Sequence, residues 1–117
     1  MISPLLVYVV DDMREKYMLV LYEKEARVYS RHAKAVVGWK VRTFKKPLMI
    51  QILFRLEGRT YAISIPIRGS RKSGEYYYVS FPMHFVYKDL PPRCRCWMRE
   101  DFYETIMAKM WAEEVFK

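Results

Sequence analysis

Apolar and polar positions alternate with a period of two through much of the stretch from residue 37 to residue 87. Val37, Trp39 and Val41 alternate with Gly38, Lys40 and Arg42. Leu48, Ile50, Ile52, Phe54 and Leu56 alternate with Met49, Gln51, Leu53 and Arg55. Tyr61, Ile63, Ile65 and Ile67 alternate with Thr60, Ala62, Ser64 and Pro66. Successive side chains of a strand point to opposite faces, so the pattern predicts strands over 37–43, 48–56 and 59–67, each with one buried face. Glu57-Gly58 predicts a tight turn between the last two. Pro66 has no amide hydrogen for a ladder and marks an edge or a strand end. A further run over 76–87 puts Tyr77, Val79, Phe81, Met83 and Phe85 on one face. Tyr76, Tyr78, Ser80, Pro82 and His84 take the other, with Pro82 interrupting the run.

The ends of the chain follow other rules. Leu5 to Val10 is a short apolar run closing on Asp11-Asp12 and reads as a buried strand. Met18 to Tyr22 are consecutively apolar, which favours a second strand over 17–22. The competing reading is a helix from Asp12, because Asp12 and Glu15 have capping-box spacing. Residues 23–35 are ambiguous and admit a short helix. Pro91-Pro92 reads as the end of the sheet region. Asp101 and Glu104 then open a helix in which Phe102, Ile106, Met107, Met110, Trp111 and Val115 recur at helical intervals. The fold expected is α+β in one domain over 1–117: an antiparallel sheet of about five or six strands with an amphipathic C-terminal helix packed on one face.

Charge changes the picture more than composition does. The net charge is +8. Between Arg27 and Lys72 stand twelve basic residues against a single acid, Glu57, so that segment alone carries +11. A single-sign field of this size attracts polyanions. If the bulky apolar positions face the core, the opposite sheet face carries Lys40, Arg42, Gln51, Arg55, Thr60, Ser64, Tyr76, Tyr78 and His84. Cations on such a face neutralise phosphates, and rings stack on unpaired bases. The loop Arg68 to Gly74 (RGSRKSG) extends this surface with Arg68, Arg71 and Lys72 on a glycine-flanked backbone. The expected function is nucleic-acid binding, mainly through phosphate and without sequence preference. The contacts are Lys40, Arg42, Arg55, Arg68, Arg71 and Lys72, with Tyr76 and Tyr78 stacking on a single strand. Against this stands the ordinary role of Lys and Arg on an open sheet, where they deter edge-to-edge association.

Two other functions compete. The first is a structural or assembly protein forming homo-oligomers, because a small domain with Met and aromatic residues to spare gains core by self-association. A homodimer would use Trp97, Met98 and Trp111, unless these are core. The second is a metal-dependent nuclease holding Mg²⁺ on Asp11 and Asp12 at the end of the first strand, with Glu15 or Glu25 completing the site. Two acids after a strand more often form a solvated turn. His32 and His84 sit in no catalytic motif, and no glycine-rich nucleotide loop or zinc-ligand spacing implies a cofactor or metal. Cys94 and Cys96 lie among Arg93, Arg95 and Arg99, and nearby cations would activate a thiol.

The sequence has no Asn and one Gln, Gln51, which with abundant Arg, Lys and Glu is a heat-adapted composition. It fits an archaeal or archaeal-virus protein. No apolar run nears the ~18 residues of a membrane span, and no leader is evident at the N-terminus, so a cytoplasmic protein is expected. The nuclease reading predicts probe degradation that requires Mg²⁺ or Mn²⁺ and disappears in Asp12→Ala. Degradation surviving that substitution contradicts it.

Overall fold

The computed structural model describes residues 3–11, 16–31, 34–82 and 93–115. The chain builds two antiparallel sheets and one helix. Four strands come first: β1 (Leu6–Asp11), β2 (Lys16–Leu21), β3 (Ala26–Ser30) and β4 (Lys34–Val37). β5 (Trp39–Lys45), β6 (Leu48–Leu56) and β7 (Arg59–Pro66) follow. β8 (Arg71–Ser73), β9 (Tyr76–Pro82) and β10 (Arg93–Arg99) complete the strands, and α1 (Glu100–Val115) ends the described chain. The larger sheet has seven strands in the order β4-β3-β2-β1-β10-β9-β8, and the smaller has three, β5-β6-β7. The architecture is α+β, but the strands exceed the five or six expected and divide between two sheets.

The chain changes sheets at an exposed glycine. β4 is the edge of the large sheet, and after Gly38 the chain continues directly as β5, the edge of the small one. Val37 and Trp39, on either side of Gly38, both pack on the core. The Trp39 indole N–H donates to the Tyr22 carbonyl at 2.8 Å, and its ring meets Phe102 edge-on at 6.0 Å. One aromatic side chain therefore ties the small sheet to the large one and to the helix.

The inner faces of the sheets share one core. Leu6, Tyr8 and Val10 of β1 stand beside Cys94, Cys96 and Met98 of β10, and across from them lie Ile50, Ile52 and Phe54 of β6 with Ile63 and Ile65 of β7. In β6 and β7 these are the positions that the period-two pattern assigns to a buried face. Truncating one of the fully buried isoleucines to Ala costs about 2–5 kcal/mol by the usual cavity argument. The helix fills the rest of this face with Phe102, Ile106 and Met110, while Trp111 stays 63% exposed. Asp101 begins the helix: its carboxylate accepts the Phe102 amide at 2.8 Å and is clasped by both arms of the Arg99 guanidinium.

The strand favoured over 17–22 is present as β2, with Tyr17 and Leu19 facing the core side by side with the inner residues of β1. Other expectations change. The ambiguous stretch after Glu23 forms β3 and β4 with no helix among its described residues; Ala26, Val28 and Ala35 supply a short period-two inner face. Arg71–Ser73 is no loose loop but a strand, paired residue for residue with Tyr78, Tyr77 and Tyr76. The sheet does not end at Pro91-Pro92. β10 follows and lies inside the large sheet, between the central strand β1 and β9.

The β10 register also corrects the reading of the cysteines. Cys94 and Cys96 alternate with Arg93, Arg95 and Arg99, so thiols and guanidiniums project from opposite faces. Both thiols are buried, and the Tyr8 hydroxyl donates to the Cys94 Sγ at 3.2 Å. Burial pushes both thiols above their ordinary pKa, and pushes the Tyr8 phenol up as well. The folded protein should therefore resist a thiol reagent at about pH 8 and react at both cysteines only when unfolded. Rapid labelling of the folded chain would contradict this packing. The β6–β7 turn gives a second prediction. Glu57 and Gly58 have φ of 51° and 78°, the pair of positive values of a type I′ turn. Gly58→Ala should cost about 1–2 kcal/mol, read from urea unfolding; an unchanged midpoint would contradict the turn.

Candidate nucleic-acid interface

Packing two sheets inner face to inner face leaves two outer faces, on opposite sides of the molecule. Register assigns every strand residue to one side or the other. The outer face of the large sheet has a cross-strand row of seven: Val36, Arg27, Val20, Val7, Trp97, Tyr78 and Arg71. Beside it runs a second row of Lys34, Tyr29, Met18, Val9, Arg95 and Ser80. At a strand spacing of about 4.8 Å, the seven-strand row spans about 29 Å. Among the described residues no element packs on this face.

The two rows have one chemistry in the middle and another toward the ends. Val7, Val9, Met18 and Val20 make an apolar centre. Toward β8, the Tyr78 and Trp97 rings lie 5.2 Å apart with planes inclined by 46°, and the Arg95 guanidinium sits 5.7 Å from the Trp97 ring. Both rings are half-buried, which leaves part of each ring open to solvent. With Arg71, Lys72 and Ser73 they line a shallow depression of about 430 Å³. Toward β4, the Lys34 ammonium lies 5.6 Å from the Tyr29 ring. A second depression of about 450 Å³ runs between Tyr29, Met18, Lys16 and Arg95. Arg93 extends the basic end, held by its Nε–H donated to the Ser80 Oγ at 2.8 Å.

The outer face of the small sheet differs. Register places Lys40, Arg42, Gln51, Leu53, Arg55, Thr60 and Ser64 there, with Gln51 donating to the Ser64 Oγ at 3.2 Å across the strands. Lys40, Arg42 and Arg55 are exposed, and none has a carboxylate partner among the described residues.

The residues expected on one surface therefore fall into four places. Arg71, Tyr76 and Tyr78 lie on the outer face of the large sheet. Lys40, Arg42 and Arg55 lie on the small sheet, on the other side of the core. Arg68 is exposed in the turn after β7. Lys72 points the opposite way from Arg71 and donates to the Glu100 carboxylate at 2.7 Å, which raises its pKa. Arg99 is likewise engaged, with Asp101 and the Ser3 carbonyl. His84 and Asp12 lie outside the described residues, as does the Asp11 side chain. Among the described residues no three His, Cys, Asp or Glu side chains cluster as metal ligands.

The sequence reading did not place Trp97, Arg95, Arg93 and Tyr29 on the basic sheet face, and named Trp97 only as a dimer contact or core residue. A signal for the first three was present, since Arg93 to Arg99 alternates cleanly (basic or aromatic outward, Cys and Met inward). It was hidden by the assumption that paired prolines closed the sheet. Comparison with protein-family models, with curated proteins and with solved structures returns no match. In the described residues no helix is long and apolar enough to cross a membrane.

Proposed function

We propose that the protein binds single-stranded nucleic acid, without sequence preference, on the outer face of the seven-stranded sheet. The observation that carries this reading is the Tyr78–Trp97 ring pair set between Arg71 and Arg95 on an open sheet. Rings stack on any base, at about 1–3 kcal/mol per base, so they bind without discriminating sequence. Stacking needs bases that are not already stacked in a duplex, which is why the rings favour a single strand. Arginine supplies a planar donor fork for phosphate at the same place. Lys16, Lys34 and Arg93 continue the positive field along the basic end of the sheet.

A second reading is supported by the apolar centre of the same face. Val7, Val9 and Met18 are part-exposed, and Val36 at the edge is 65% exposed. Two copies meeting through this stripe would make an assembly protein, and oligomers that form regardless of nucleic acid would favour it over the first reading.

The test is a fluorescence anisotropy titration with short single- and double-stranded oligonucleotides at several salt concentrations. Single strands should bind tighter, with log affinity falling linearly in log salt. Trp97→Ala should weaken binding by about 5- to 150-fold, the range that one lost stack implies. Trp97→Phe, which keeps a ring, should restore most of it. Arg71→Ala should make the salt slope about one unit shallower, whereas Lys72→Ala, one residue away and already paired, should leave it unchanged. No binding at low salt, salt-independent binding, or equal effects of Arg71→Ala and Lys72→Ala would contradict the proposal.

A further inference from the structure

The basic outer face of the small sheet is not explained by a site on the large one. Between Trp39 and Arg68 the chain carries seven basic residues and one acid, Glu57, which sits in the β6–β7 turn. Lys40 and Arg42 occupy the same face of β5 about 6.8 Å apart. Arg55 joins them on β6, two residues beyond the partner of Lys40. Lys45 and Lys46 are exposed at the β5–β6 turn, where Lys45 falls by register on the side of Val41 and Thr43, so the track itself is Lys40, Arg42 and Arg55. Hydrogen-bonding groups lie beside the cations in Gln51, Thr60 and Ser64.

This is a different surface chemistry from that of the large sheet. It has cations, an amide, hydroxyls, the aliphatic side chains of Met49 and Leu53 and one half-buried ring, Phe44, but no ring pair. Such a face suits a sugar–phosphate backbone and offers less for stacking bases than the large sheet does. The two faces are separated by the full core. Sheets pack about 10 Å apart, and the outward side chains add to that on both sides. The molecule measures 43 × 34 × 32 Å, so a short strand lying on one face does not reach the other.

We propose that the outer face of the small sheet is a second phosphate-binding site, and that one molecule thereby bridges two nucleic-acid segments. The proposal rests on nucleic-acid binding by the large sheet, which holds the first segment by stacking and charge. The second segment is held by charge alone, through Lys40, Arg42 and Arg55. Bridging is therefore more salt-sensitive, relative to its affinity, than binding of the first segment.

The experiment is capture of a fluorescent single strand of about 8 nucleotides by a bead-bound strand of the same length, with protein limiting and its monomeric mass checked by light scattering. Wild-type protein should link the two strands. The variant K40Q/R42Q/R55Q changes only exposed side chains, and its thermal unfolding should match the wild type. It should capture at least about 10-fold less fluorescent strand, as expected for three lost phosphate contacts, while its anisotropy affinity for one strand falls by no more than about 3-fold. Wild-type protein that binds one strand tightly but captures no second would overturn bridging and leave the large-sheet site standing. Capture by the triple variant equal to wild type, or capture that tracks dimer formation, would also overturn it. Failure of the large-sheet reading looks different: Trp97→Ala would bind a single strand as well as wild type does.

Discussion

Close packing of the two inner sheet faces is the constraint on which the rest depends. Ile50, Ile52, Ile63 and Ile65 are buried with Leu6, Tyr8, Cys94, Cys96 and their neighbours in one core, which Phe102, Ile106 and Met110 of α1 complete. Strand side chains alternate, so fixing which residues face inward fixes which face outward. A one-residue slip of β10 against β1 would bring Arg93, Arg95 and Trp97 into the core and expose both cysteines. The core therefore holds the candidate interface in place without touching it. Trp97 and Arg95 stand on the outer face because Cys96 and Cys94 are needed on the inner one.

The same constraint explains how the positive charge is distributed. In sequence the excess lies between Arg27 and Lys72, but that segment runs from the third strand of the large sheet through the whole small sheet and back. Folding divides it between two surfaces. It also recruits Lys16, Arg93 and Arg95, from outside the segment, to the large sheet's outer face. Some cations are spent on the fold itself: Lys72 anchors α1 through Glu100, and Arg99 clasps Asp101 at the helix start. Charge density along a chain therefore locates a basic face only when the strands that carry it belong to one sheet.

Much of the local structure was legible in the sequence. β6 spans the predicted 48–56, the Glu57-Gly58 turn is present, and Pro66 closes an edge strand. The sides assigned to Tyr76 through Phe81 are also as read. These features are local, set by period-two patterning and turn chemistry. What alternation does not encode is which strands share a sheet. Gly38 passes the chain from one sheet to the other without interrupting the pattern, so Lys40 and Tyr78 read as one face although the core lies between them. β8 was missed for another reason. Arg71-Lys72-Ser73 has no apolar residue, and its strand character comes from pairing with β9.

The central claim is that nucleic acid lies on the outer face of the seven-stranded sheet, and the most direct measurement is ultraviolet cross-linking of a bound single strand with the modified residues mapped by mass spectrometry. The account predicts adducts on Trp97 and Tyr78 that vanish as salt releases the strand. Adducts confined to other aromatics, such as Tyr61 on the small sheet or Trp111 on the helix, would contradict it.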